Sequence, residues 1–341
     1  MTTFNWFGGY GRYGAARFWD PQGVPGAGDT AAVGGGEVVV AGRQVGATVL
    51  LGGPDSGGQP VLDLRRASLA GLSMPNALPP PPYNTYNTLT SPTQYGTVNV
   101  RGQSSIGSID IGNFSGESRA PAGIGHGPLT APDVLTVNLE GQATLATRFD
   151  VKDGSTLTVN GGAQSSLVAG ASVIEGGTVV VNAPLNGQGT ILMVNGLGSH
   201  EGYGHAGSLE LGGPVGAGET IGIDVGNVVI DRPMEFAGTL DFQPDVGSGR
   251  VHYTATQGVL LKGLTASSYA FDDAAHTLTL FNGDAVLDTI RFSQNTTSGS
   301  FHMGKFASID VLQTGSDVYL RGSYNFAEGT EIPLHVAPAA A

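Results

Sequence analysis

The 341-residue chain has no cysteine, which excludes disulfides and thiolate metal sites and leaves the fold to packing and hydrogen bonds. It has little charge. Asp, Glu, Lys and Arg together make up 13% of residues, and lysine occurs only at Lys152, Lys262 and Lys305. The formal net charge of −13 argues against nucleic acid and anionic membrane surfaces as partners. No run of 18 apolar residues occurs, so no membrane insertion through a helix is expected. The opening residues lack the basic and apolar regions of a cleaved signal, so an exported chain has either lost its signal or uses another route.

Glycine, by contrast, is abundant: 56 residues, a share that suggests low complexity until it is set beside an apolar fraction of 40% in regular alternation. The alternation is clearest from Val134 to Asn195. There VLTVNLEGQATLATRFDVKDG, STLTVNGGAQSSLVAGASVIEGG and TVVVNAPLNGQGTILMVNG place Val-Asn pairs ending at Asn138, Asn160 and Asn182, a step of 22 residues taken twice. A fixed period in the twenties marks a solenoid. Each period holds short alternating runs separated by Gly, Asn or Asp, so each is expected to form a coil of short strands and tight turns. One coil cannot bury its inner face alone; stacked coils can. Asn138, Asn160 and Asn182 are expected to form a structural amide ladder at the coil corners, where Asn tolerates left-handed backbone.

Residues 1–28 gather Phe4, Trp6, Phe7, Tyr10 and Trp19 among glycines. They are expected to cap the first coil or to provide a surface for self-association or sugar binding. Residues 29–265 form the solenoid body, with excursions at 75–95, where four prolines precede Tyr83, Tyr86 and Tyr95, and at 114–132, which contains His126. Proline cannot donate to a strand ladder, and loops of this length are often functional. Tyr83, Tyr86, Tyr95 and His126 are therefore the candidate binding surface. Residues 266–341 are expected to form closing strands, an extended tail and a hairpin over 277–292, whose turn is signalled by Asn282-Gly283.

Chemistry-bearing clusters are sparse. His200, Glu201 and His205 match no zinc spacing and sit among glycines, so they read as a turn. Arg148, Asp150 and Lys152 share one strand face, the pattern that a solvated outer face also produces. Asp153 and the Asp272-Asp273 pair read as turn residues. No catalytic residue, metal site or cofactor is assigned.

The order Trp19, then Pro25-Gly26-Ala27-Gly28-Asp29-Thr30, then a short apolar strand resembles the opening coils of autotransporter-passenger-like secreted β-solenoid surface proteins of proteobacteria. The segments VVIDRPMEFAGTLDFQPDV and GVLLKGLTASSYAFDDAAHTLTLFNGDAVLDTIRF resemble their closing module. The resemblance implies an all-β, right-handed parallel β-helix in an extracellular or bacterial cell-surface setting, and it carries over no catalytic residue. The calcium-binding nonapeptides found in many such proteins are absent. The expected molecule is a non-enzymatic rigid rod of roughly nine to eleven coils. Its expected role is structural or adhesive, as a filament, biofilm-matrix or adhesin subunit with head-to-tail or lateral self-association. The alternative is a polysaccharide-binding or polysaccharide-cleaving protein, pectate-lyase-like or glycosidase, with extracellular polysaccharide as its partner.

Overall fold

The fold is seen in a computed structural model, which describes residues 1–42, 44–52, 58–74, 93–112, 133–152, 154–194, 206–242, 257–294, 296–298, 307–322, 332–333 and 335–336. The chain is all-β. Among the described residues the only helical turns are two three-residue 3-10 segments, at Ala16–Phe18 and Pro233–Glu235. The contacts divide into two units, one of residues 1–168 with 177–179 and one of residues 169–176 with 180–341.

In the first unit the strands are β1 (Thr3–Trp6), β2 (Tyr10–Arg12), β3 (Trp19–Asp20), β4 (Thr30–Val33), β5 (Glu37–Ala41) and β6 (Gln44–Leu51). They continue as β7 (Val61–Arg65), β8 (Ser68–Ser73), β9 (Gln94–Ile111), β10 (Asp133–Lys152) and β11 (Thr156–Gly161). From β4 to β9 strands two apart in sequence pair in parallel, and the long strands β9 and β10 then pair in parallel with their immediate neighbours. One ladder runs β1, β4, β6, β8 and then the second halves of β9 and β10. The other runs β2, β5, β7, the first halves of β9 and β10, and β11.

Because side chains alternate across a strand, each register column keeps one character. Val38, Leu62, Val98, Val137 and Val159 stack in one column, all essentially unexposed. Val49, Leu72, Ile109 and Phe149 do the same in the other ladder. This inward aliphatic packing is the main favourable term, at about 25 cal/mol per Å² of apolar surface removed from water.

The sequence suggests only short strands, yet β9 and β10 span 18 and 20 residues. Each turns a corner without leaving the ladder. Gly102 and Gly141, at φ 73 and 66, take the left-handed conformation there, and the pairing register shifts between Glu140 and Thr144.

The first rungs are covered by an aromatic chain. Trp6 packs on Phe18 and Trp19 at centroid distances of 5.2 and 5.0 Å, and Trp19 meets Tyr13 edge-on at 5.2 Å. Phe18 lies over Gly8 and Gly11, where any Cβ would come within 2.9 Å of the ring. The Trp19 indole N–H donates to the Tyr13 carbonyl at 2.8 Å, and the Tyr13 hydroxyl donates to the Pro25 carbonyl at 3.1 Å.

β12 (Ser166–Ala169) and β14 (Thr178–Val181) straddle the sequence limits of the two units. In the second unit, β13 (Ser172–Glu175), β15 (Thr190–Val194), β17 (Thr220–Ile223) and β19 (Thr239–Phe242) form a parallel ladder. β16 (Gly207–Leu211), β18 (Gly226–Ile230) and β20 (Gln257–Leu261) form another. Outside these ladders, single parallel bridges join Leu185 to Val215 and Val215 to Phe236. Beyond β20 the direction changes. β21 (Ser268–Asp272), β22 (Thr277–Asn282) and β23 (Ala285–Phe292) pair antiparallel in succession, with Gly283-Asp284 as the two-residue turn between β22 and β23. β23 also closes the first of these ladders, setting Phe292 beside Leu240. β24 (Thr296–Ser298) pairs with β25 (Ala307–Thr314), and β26 (Asp317–Gly322) lies antiparallel to both β25 and β20.

Gly36 gives a direct test of the stacking. It combines φ 77 with a position where a Cβ would run into the Gly8 and Gly9 carbonyl oxygens, whereas Gly42, at φ 58, faces open space. Gly42→Ala is expected to cost about 1 kcal/mol for its backbone alone. Gly36→Ala is expected to cost at least about 3 kcal/mol, because strain and collision add. Denaturant midpoints of the two variants measure the difference.

Candidate functional site

The outward face of β9, β10 and β11 carries a regular array. Tyr95, Val134 and Thr156 form one register column, Thr97, Thr136 and Thr158 the next, and Asn99, Asn138 and Asn160 a third. In the third column Asn138 Nδ2 donates to Asn99 Oδ1 at 3.0 Å, and Asn160 Nδ2 donates to Asn138 Oδ1 at 3.2 Å. These amides lie mid-strand, between inward residues such as Val137 and Leu139, and none is among the positive-φ residues. The corner conformation is supplied by glycine, so what selects Asn here is a pairing amide on an extended backbone. Asn182 belongs to the second unit, where its side-chain oxygen lies against Gly212.

A charged group flanks the amides. Asp63, in register with Asn99, is covered by Arg65 at 2.5 Å and Arg101 at 3.6 Å, and Arg101 also reaches Glu140 at 2.7 Å. The nearly unexposed Asp63 carboxylate thus has two guanidinium partners at its Oδ2, while its Oδ1 has none, and the charges of the group are matched among its own members.

Of the other sequence candidates, Tyr95 is 48% exposed and already lies in β9, not in the preceding excursion. Tyr83, Tyr86 and His126 lie outside the described residues, as do His200, Glu201, His205 and Asp153. Phe149 and Val151 point inward, and Asp150 is paired with Lys152 at 3.3 Å. Asp272 bonds the amides of Ala274 and Ala275 at 2.9 Å and so acts as a turn residue. Of the N-terminal aromatics, Trp6 and Trp19 are buried and Phe4 half-buried, while Phe7 and Tyr10 are each 65% exposed. Among the described residues no group of three His, Cys, Asp or Glu is placed to hold a metal ion.

Two clefts adjoin the aromatic end. One, of about 420 Å³, is lined by Tyr13, Val24, Pro25, Gly26, Ala27, Gln44, Val45 and Gly46. The other, of about 550 Å³, is lined by Asn5, Phe7, Arg17, Trp19, Asp20 and Gln22. Compared with known proteins, the chain matches no family, no curated protein and no solved structure. Its own geometry therefore carries the functional reading.

The sequence reading passed over two buried acids. Asp133 is unexposed, its Oδ2 accepts from the Gly112 amide at 3.3 Å, and its Oδ1 has no partner. Burial pushes its carboxyl from 3.8 up to about 7, against the weaker pull of the Gly112 amide. Glu219 is also unexposed, its carboxyl oxygens approached only by the Gly189 amide, too loosely for a well-formed hydrogen bond, and it fills the space that a Cβ at Gly187 would occupy. Burial pushes it from 4.5 up to about 7, with the Gly189 amide opposing. A signal for both existed in strand parity: Asp133 falls in phase with buried Leu135 and Val137, and Glu219 with buried Ile221 and Ile223.

Asn138→Ala removes two amide bonds and Asn99→Ala one, so their costs should stand near about 2 and 1 kcal/mol in equilibrium unfolding. For the acids, the folded chain binds the proton more tightly than the unfolded chain. Their stabilising contribution is full below about pH 4 and is lost as pH rises through about 7. Asp288, raised by burial in the same direction, adds to the trend. The unfolding midpoint should therefore fall between pH 4 and pH 8, and the double variant Asp133→Asn, Glu219→Gln should flatten that fall while raising stability at pH 8.

Proposed function

We propose that the chain is a non-enzymatic extracellular structural or adhesive protein, built as a right-handed parallel β-helix of the autotransporter-passenger-like kind and able to associate with copies of itself. The observation that carries this reading is the in-register parallel stacking of β9, β10 and β11, with aliphatic columns inward and the Thr and Asn columns outward. Such stacking gives a persistent scaffold with long regular faces and needs no reacting group. The cysteine-free, acidic composition suits a surface or matrix setting, where net negative charge keeps the protein soluble.

The exposed Phe7 and Tyr10 rings, at the end where the strand ladders begin, supply a surface for contact with a second copy. A cleavage reading has less to draw on. Asp150, its best carboxylate, is held by Lys152 on the same strand, and the second carboxylate beside it, Asp110, is its in-register neighbour on the same face of the sheet, bonded by Ser108, and does not face it across a groove. Sugar binding without cleavage is favoured by one observation, the polar and aromatic lining of the larger cleft.

Light scattering and electron microscopy on the purified chain at rising concentration test the self-association. Assemblies that grow with concentration and are diminished in the Phe7→Ala, Tyr10→Ala double variant are expected. A chain that stays monomeric throughout removes the self-associating part of the reading.

A further inference from the structure

The larger of the two clefts is built more specifically than its size requires. Its floor comes from β1 and β3, which pair antiparallel so that Asn5 stands directly opposite Asp20 and Trp6 opposite Trp19. Side chains opposite one another share a face, so the Asn5 amide and the Asp20 carboxylate project together while the two indoles go to the core. β1 is itself fixed by parallel pairing to β4, and the Phe7 amide donates to the Phe18 carbonyl at 3.1 Å. The site therefore sits on paired strands of the first unit.

Around this floor stand one apolar ring and four polar planar groups. The Phe7 ring is 65% exposed beside the cleft, and on the opposite face of the strands the core-facing Trp19 indole, bonded to the Tyr13 carbonyl, anchors the floor. Arg17 rests with its guanidinium carbon 4.8 Å from the centre of the Phe18 ring, which holds it at the rim by cation–π attraction. Among the described residues the side chains of Asn5, Asp20 and Gln22 have no hydrogen-bond partner within the chain. In the smaller cleft the Tyr13 hydroxyl is already spent on the Pro25 carbonyl.

We propose that this cleft binds an uncharged pyranose sugar, presented as a residue of an extracellular polysaccharide. The C–H face of a pyranose is apolar and stacks on an exposed aromatic ring, the part Phe7 can play. Its adjacent hydroxyls, each donor and acceptor at once, match planar carboxylate, amide and guanidinium groups that can engage two of them together. Arg17 and Asp20 cancel in charge, so the cleft selects neither an anionic nor a cationic ring. Its volume of about 550 Å³ falls within the range of small-molecule sites. The inference names a ligand for the adhesive function and rests on that reading only for the extracellular setting of the ligand.

The test is calorimetric titration with neutral gluco-, manno- and galacto-oligosaccharides and with oligogalacturonate as the charged comparison. At least one neutral series should bind with a dissociation constant near 1 mM or tighter, about −4 kcal/mol. Phe7→Ala and Asp20→Asn should each weaken it at least about tenfold, with an unchanged thermal midpoint. Should Phe7→Ala disturb folding, Gln22→Ala takes its place. The proposal is overturned if no neutral oligosaccharide binds at roughly 10 mM, if binding persists undiminished in the variants, or if only oligogalacturonate binds. Because Phe7 belongs to both surfaces, the titrations are run at concentrations where light scattering shows monomer and assembly is measured without sugar, which keeps the two questions apart. A chain that assembles yet binds no sugar loses this inference alone, and a monomer that binds sugar retains it.

Discussion

The parallel ladders of both units depend on strands stacking in register. In such a ladder a slip of one residue would carry every inward Val, Leu and Ile to the outer face and every Thr and Asn inward. Val98, Val137 and Val159 are enclosed and Asn99, Asn138 and Asn160 outward for that single reason. The amide column strengthens the constraint, since its side-chain bonds form only when the three asparagines are level. Register is thus held from both faces of the same strands, by apolar burial on one and by directional bonds on the other.

The regularity breaks where polar groups fall in the apolar phase. Asp133 is paired in register with Gln94, whose amide has no partner, and its own backbone N–H meets Ser155 Oγ at 3.4 Å. This makes a polar thread within an otherwise aliphatic interior. Glu219 has a comparable place in the second unit, over turns whose glycines leave the room it needs. Both carboxyls are tolerated in their neutral form, since burying the charge without a cation partner is costly.

Much of the architecture was legible in the letters. The 22-residue step between Val-Asn pairs anticipated the level placement of Asn138 and Asn160, and the Asn282-Gly283 signal anticipated the hairpin of β22 and β23, although its turn falls one residue later, at Gly283-Asp284, with Asn282 still paired to Ala285. The corners were less legible. Glycine at 102 and 141 turns them, leaving asparagine mid-strand, because the left-handed conformation costs glycine nothing and an amide pairs as well on extended backbone. The cleft of Asn5, Arg17 and Asp20 was hidden for a different reason. It is made by an antiparallel return from β3 to β1 across a 3-10 turn, and no local pattern in an aromatic, glycine-rich segment announces that return. The aromatic residues were visible as a group, but which rings face the core and which face water was not.

The reversed strand β26 gives the second unit a distinct boundary. It lies antiparallel against β20 and hydrogen-bonds on its other side to β25, so neither edge presents a continuing parallel rung. Lengthening within the first unit would leave this boundary untouched. Duplicating the segment between Asn138 and Asn160 would add a turn of scaffold while leaving both termini chemically as they are, so reach and end-chemistry can be varied separately.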